Sequence, residues 1–174
     1  MAEPLTPRAQ QVVAVARELL ETEGSDALTM RRLAERMGIR APSLYKHVPH
    51  KAALEAAIIA DGFQEAALAF EAATEGASDP LAALVDAYRR FAATNPHVYR
   101  LMTAGPPPRD LLPPGLEDRT AAPLLRATGT PARARAAWAF IHGMITLELD
   151  SRIPVDRVTE QAWSSGIAAF RMTT

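Results

Sequence analysis

Between Thr29 and Lys51 the chain concentrates groups that seek phosphate. Arg31, Arg32, Arg36, Arg40, Lys46 and Lys51 face a single acid, Glu35, a local charge of +5 in a chain whose net charge is −1. Guanidinium and ammonium groups neutralise backbone phosphates, and arginines and hydroxyls also match base edges. A basic patch on a nearly neutral chain is the footprint of a compact nucleic-acid-binding domain, although a solvated charged face gives the same count. Arg40 and Ser43 are of the types that read bases, while Tyr45, Lys46, His47 and Lys51 suit phosphates. His50 and Lys51 also open a long helical stretch, whose free N–H groups favour an anion. A partly buried structural role is the lesser alternative for Tyr45, and that of ordinary surface histidines the alternative for His47 and His50. The two histidines are three apart, but Pro49 separates them and no third ligand is near, so no metal site is expected.

Such side chains need a rigid support. In "GIRAPSLYKHVPHK" (38–51), Pro42 and Pro49 leave room for about two helical turns, and isolated helices under ~12 residues are marginal in water. The piece must therefore dock, and Leu44 and Val48, four apart, are its inner face. Thr29 is an N-cap for the preceding short helix, with Leu33, Ala34 and Met37 inward and Gly38 at the left-handed C′ position. Ile39 and Arg40 complete the turn. Before it, Thr6 caps a helix that Pro7 opens, with Val12, Val13, Ala16, Leu19 and Leu20 on one stripe and Gly24 as the stop. Two short helices joined by a glycine-containing turn make a helix-turn-helix, whose second helix is free to enter a major groove.

The stretch "LTMRRLAERMGIRAPSLYKHVPHKAAL" (28–54) resembles the signature of the TetR family of bacterial transcriptional regulators. Its Pro-Ser-Leu-Tyr-x-His-Val form is most similar to the tetracycline-repressor branch, with Val48 where many members have Phe. The resemblance implies Arg31, Arg40, Ala41 and Ser43 as base readers. It implies Thr29, Pro42, Tyr45, Lys46, His47 and Lys51 as backbone contacts. Ala41 has no polar group and can offer only an apolar contact to a thymine methyl.

The rest of the chain also reads as helix. A segment of roughly 25 residues follows His50, through Leu54, Ile58, Phe63, Leu68 and Phe70, and breaks at Gly76 and Ser78. Asp79-Pro80, Asn95-Pro96 and Thr130-Pro131 open further helices. A helix including Leu116, Leu124 and Leu125 ends near Gly129, and a last one follows Pro154 and Val155 to about Met172. "AGPPPRDLLPPG" (104–115) reads as a stiff polyproline-like loop. The expected fold is all-α: an N-terminal three-helix helix-turn-helix domain at 1–50, and an antiparallel helical bundle for ligand binding and dimerisation at 51–174. Phe63, Phe70, Tyr88, Phe91, Tyr99 and Met102 supply an apolar pocket lining, or alternatively core. Trp138, His142, Ile145 and Leu149 share one helical stripe. Ala139, Gly143 and Ile145, with Gly166, Trp163, Ile167 and Phe170 on the last helix, suit close pairing with a second copy, or an internal core. Trp138 and His142 are also open to ligand contact. "WAFIHGMITLEL" (138–149) resembles the Trp-x-x-x-His-Gly motif of one TetR regulatory type, which implies ligand response and homodimerisation.

The 174 residues include no cysteine, which excludes disulfides and thiolate metal sites. No run approaches the ~18 apolar residues of a membrane span, and Met1 leads into a polar segment without a secretory signal, so a cytoplasmic protein is expected. No Gly-rich phosphate loop, metal triad or Ser-His-Asp grouping argues for an enzyme, and no cofactor is expected. The expected partners are a palindromic double-stranded DNA operator, a second copy, and a small apolar or amphipathic effector, with no membrane. The alternative is a helical protein-interaction module whose basic patch binds an acidic partner. Operator sequence, effector identity and the direction of the response are not legible.

Overall fold

The computed structural model describes residues 5–171. Among them the chain is helical, without strands: α1 (Pro7–Glu23), α2 (Met30–Arg36), α3 (Ala41–Leu44), α4 (Lys51–Thr74), α5 (Pro80–Thr94), α6 (Pro96–Thr103), α7 (Leu116–Thr128), α8 (Pro131–Leu149) and α9 (Arg157–Phe170). The all-α expectation holds. No helix among the described residues is long and apolar enough to cross a membrane.

Local chemistry explains most boundaries. Thr6, Thr29 and Thr130 each cap a helix, their hydroxyls accepting from Ala9, Arg32 and Arg133 N–H at 3.2, 3.2 and 3.3 Å. Prolines stand in the first turns of α1, α3, α6 and α8, where the missing N–H costs nothing. Gly38, at φ +65°, takes the left-handed conformation that ends α2 and starts the turn into α3. Asp156 caps α9 by accepting from Thr159 N–H at 2.9 Å.

The chain forms two compact units. One comprises the chain up to Gln64 together with Asn95–Leu116, and so holds α1–α3, the first half of α4, and α6. Its core includes Val12, Ala16, Leu19, Leu20, Leu33, Leu44, Leu54, Ile58 and Val98, all buried. The other comprises Glu65–Thr94 and the chain from Glu117, with the end of α4, α5, α7, α8 and α9. Its core includes Phe70, Leu81, Leu84, Phe91, Ala137, Ile141, Ile145 and Trp163.

Four details depart from the sequence reading. The α-helical part of α3 covers only four residues, and Tyr45–His47 continue it as a turn in which His47 N–H bonds to the Leu44 carbonyl at 2.9 Å. Leu68, placed in the apolar run of α4, is exposed. The proline-rich 104–115 stretch is not uniformly extended: Arg109–Leu111 form a 3₁₀ turn that buries Leu112. In α8 the buried stripe is Ala137, Ile141 and Ile145 rather than the Trp138, His142, Ile145 and Leu149 line. The expected end of the last helix at Met172 lies outside the described residues.

Candidate nucleic-acid interface

The short probe is held from below. Leu44 and Val48 are buried against the unit's core, whereas Arg40, Pro42, Ser43, Tyr45 and Lys46 are exposed. Tyr45 is 48% exposed, so it is a surface aromatic and not a core one. Ala41 and His47 are half-buried at the same place, and Thr29, Arg31 and Lys51 are exposed. All ten expected DNA contacts therefore lie on accessible positions of one unit.

The basic residues divide into two kinds. Arg36 bridges from α2 to Glu18 at 2.6 Å and Glu23 at 3.6 Å on α1, and Arg32 also pairs with Glu23. These two cations fasten α2 to α1, so the charge count overstates what is free for phosphate. Among the described residues Arg31 is paired only with Glu35 one turn along its own helix, at 3.0 Å, and Lys51 likewise with Glu55, at 3.4 Å. Such exposed pairs are worth ~0.3–0.5 kcal/mol and yield readily to a phosphate. Among the described residues Arg40 and Lys46 have no ion-pair partner. Thr29 accepts from Arg32 N–H, which leaves its own hydroxyl proton free to donate outward. His50 Nδ1 accepts from Ala53 N–H at 3.1 Å, so it caps α4 itself and takes one of the donors expected to meet a phosphate.

The expected pocket residues are drawn from both units. Phe63, Tyr99 and Met102 belong to the first unit, where Met102 packs so closely on Gly62 that a Cβ there would stand 2.6 Å from its sulfur. Phe70, Tyr88, Phe91, Trp138 and His142 belong to the second. There Phe70 stacks on Tyr88 at 4.7 Å between centroids and meets Phe91 edge-on at 6.5 Å. Trp138 Nε1–H donates to Tyr88 Oη at 3.1 Å, and the Trp138 ring stacks on His142 at 5.6 Å. Burial pushes the Tyr88 phenol above its usual range, partly offset by the Trp138 bond, and pushes the His142 imidazole down. These aromatics fill space with one another. A cleft of ≈ 690 Å³ in this unit is lined by Glu71, Thr74, Glu75, Ser78, Asp79, Pro80, Leu81, Pro123, Arg126, Ala127 and Arg171, none of them among the expected pocket residues.

The residues expected at a dimer contact also divide. Trp163 is 2% exposed: its Nε1–H donates to Glu148 at 2.8 Å, Phe140 meets it edge-on, and the Arg89 guanidinium lies 4.8 Å from its ring centroid. Gly166 is covered by the Phe140 ring, which a Cβ would overlap, and Phe170 also packs on Phe140. Ile145 is buried in the same core. These four are occupied within the chain. Ala139 and Trp138 are exposed, Ile167 is half-buried, and nothing lies within 4 Å of the Cβ position at Gly143. Leu147, exposed and four residues beyond Gly143, extends that uncovered face and was missed in the sequence, although its i+4 spacing marks it.

A short helix docked beside two others with its basic and hydroxyl side chains outward defines a helix-turn-helix protein. The family model described as bacterial regulatory proteins, tetR family, matches residues 12–58, and that of the tetracyclin repressor-like C-terminal domain matches residues 81–170. The chain belongs to the tetR family of bacterial regulatory proteins. It is 49% identical over 45 residues to the tetracycline repressor protein class D of Escherichia coli, 26% of this chain and 21% of that protein. It is 28% identical over 132 residues to the HTH-type transcriptional regulator Rv1816 of Mycobacterium tuberculosis, 73% of this chain and 55% of that one. The matched stretches thus span between about a fifth and about half of these curated relatives. A single-substitution TetR variant of Acinetobacter baumannii, solved in complex with minocycline, shares the fold at a TM-score of 0.62 and 23% identity, over 96% of this chain and 93% of that one.

Proposed function

We propose that this chain is a dimeric, ligand-responsive repressor that binds a palindromic operator through residues 1–50 and carries effector binding and dimerisation in residues 51–174. The observation that carries the reading is the outward set Arg40, Ser43, Tyr45 and Lys46 on a helix anchored by Leu44 and Val48. Arg40, Ser43 and Arg31 read base edges. Thr29, Tyr45, Lys46, His47 and Lys51 hold phosphates. A two-fold dimer places its two probes in successive major grooves, about 34–36 Å apart. Lys46→Ala should weaken binding to operator and random duplex alike, and lower the slope of log affinity against log salt by about 0.9, the loss of one phosphate contact. An unchanged slope would remove Lys46 from the interface.

Dimerisation uses the uncovered face of α8, with Trp138, Ala139, Gly143 and Leu147, together with Ile167 of α9. A Cβ at Gly143 has no described atom within 4 Å outside its own helix backbone and chain neighbours, so a side chain there starts into open space and a second copy is what resists it. Gly143→Glu should therefore give a folded monomer in sedimentation, because an unpaired charge would otherwise be buried between two copies. A dimer of unchanged stability places the contact elsewhere. The effector is a small organic molecule, a class supported by the minocycline held by the Acinetobacter baumannii protein of the same fold.

A further inference from the structure

The first turn of α6 is capped by another helix. Pro96 stands at the first position of α6 and has no N–H to satisfy. The two remaining free donors, His97 and Val98 N–H, both bond to the Glu21 carboxylate on α1, at 3.2 and 2.7 Å. Asparagine is among the best N-caps, yet Asn95, at the N-cap position, makes no side-chain cap bond. Its Oδ1 instead accepts from Arg17 of α1 at 2.8 Å, and Arg17 also pairs with Asp61 of α4. One arrangement is present, and a second is reached by turning Asn95 from ψ 58° to the extended backbone of an N-cap. In one, Glu21 caps α6 and Arg17 holds Asn95; in the other, Asn95 caps α6 locally and α1 is released.

The place of α6 in the chain gives this exchange a use. The chain leaves the second unit after Thr94, builds α6 inside the first, and returns at Glu117. The same two turns of α1 that hold α6 through Arg17 and Glu21 hold α2 through Glu18 and Glu23, and α2 packs on α3. We propose that the exchange of Glu21 for Asn95 as the cap of α6 is a latch on α1, and that the latch closed by Glu21 is the operator-binding state. The inference rests on the reading of the chain as an operator-binding regulator. Glu21 and Arg17 are positioning residues: they sit off the probe and act through α1.

Linkage makes the test reciprocal, since a latch that favours the operator must itself be favoured by it. Hydrogen exchange of the His97 and Val98 amides is measured in the wild type with and without saturating operator duplex, and operator affinity is measured for Glu21→Ala. The operator should slow exchange at whichever of the two amides an Asn95 cap leaves open, and Glu21→Ala should bind it about fivefold or more weakly with an unchanged salt slope, because no phosphate contact is lost. A merely structural Glu21 would lower the melting temperature and leave both readouts alone. Unaltered exchange at both amides overturns the latch whether or not Glu21→Ala folds. So does a folded Glu21→Ala with wild-type affinity. A wild type that binds no selected duplex refutes the regulator reading and the latch with it.

Discussion

Leu44→Ala should abolish operator binding and cost about 2–5 kcal/mol of stability, the range for deleting a buried leucine side chain. The helix it belongs to spans four residues and has no stability of its own. Its attachment is the pair Leu44 and Val48, and Leu44 is fully buried. Truncation removes the larger anchor and leaves a cavity beneath the probe, so Arg40, Ser43, Tyr45 and Lys46 lose their common orientation. Denaturant unfolding and a DNA-binding titration check the two halves of this expectation. A variant with the wild-type midpoint and wild-type affinity would show that α3 is held by something other than its inward leucine.

Arg89→Met should destabilise the second unit by about 1–2 kcal/mol, between the ~0–1 kcal/mol of an exposed pair and the ~3–5 kcal/mol for breaking a buried one, because Arg89 is 23% and Glu160 53% exposed. Arg89 bonds Glu148 at 2.9 Å and Glu160 at 2.7 Å, and lies over Trp163. Glu148 is only 15% exposed and would keep the Trp163 indole as a donor without a counter-ion, whereas the more exposed Glu160 regains water. Methionine preserves much of the packing on Trp163, so the loss reports the charge. The Arg89 hydrogen bond holds the Glu160 carboxyl below its usual range. Stability from such a group is present above the unfolded value of about 4.3 and is lost as pH falls through the lower folded value. The gap between wild type and Arg89→Met should therefore be full at pH 7 and narrow below about pH 4. Urea unfolding at both pH values measures it. A gap that stays constant with pH would mean that Arg89 acts through packing alone.

The N-terminal half was legible because its signals are local. Thr6, Thr29, Gly38 and Pro42 each act on backbone groups within a few residues, and the short probe between two prolines can exist only if Leu44 and Val48 dock it. The charge of that stretch was read too generously, since a formal count does not show that Arg32 and Arg36 are tied to Glu18 and Glu23 across helices. Contacts of that kind depend on how α1 and α2 cross, which periodicity does not give. The same reason hid Glu21, whose partners are backbone N–H groups 76 and 77 residues away.

The C-terminal half was legible as helices and less so as sites. Spacing marked the stripe of α9 that holds Trp163, but its line on α8 shares only Ile145 with the buried one. It could not say which stripe the chain covers itself and which it leaves for a second copy. Trp163 and Gly166 look like interface residues by size and position, yet Arg89, Glu148 and Phe140 occupy them from within. Trp138, one turn from Ile141, is 44% exposed. Bulky side chains in excess, as in the aromatic set of α4 to α6, suggest a pocket wall from spacing alone; in the second unit the stacking of Phe70 on Tyr88 uses part of that bulk as packing.

Selection of duplexes from a random-sequence pool by the purified protein tests the central claim most directly. The account predicts one palindromic consensus with half-site centres about 10 base pairs, or a multiple of the helical turn, apart. It also predicts that Arg40→Ala relaxes one position in each half, at about 1–3 kcal/mol if that position is a guanine. Recovery of no consensus, or of an identical consensus with Arg40→Ala and Ser43→Ala, would contradict it.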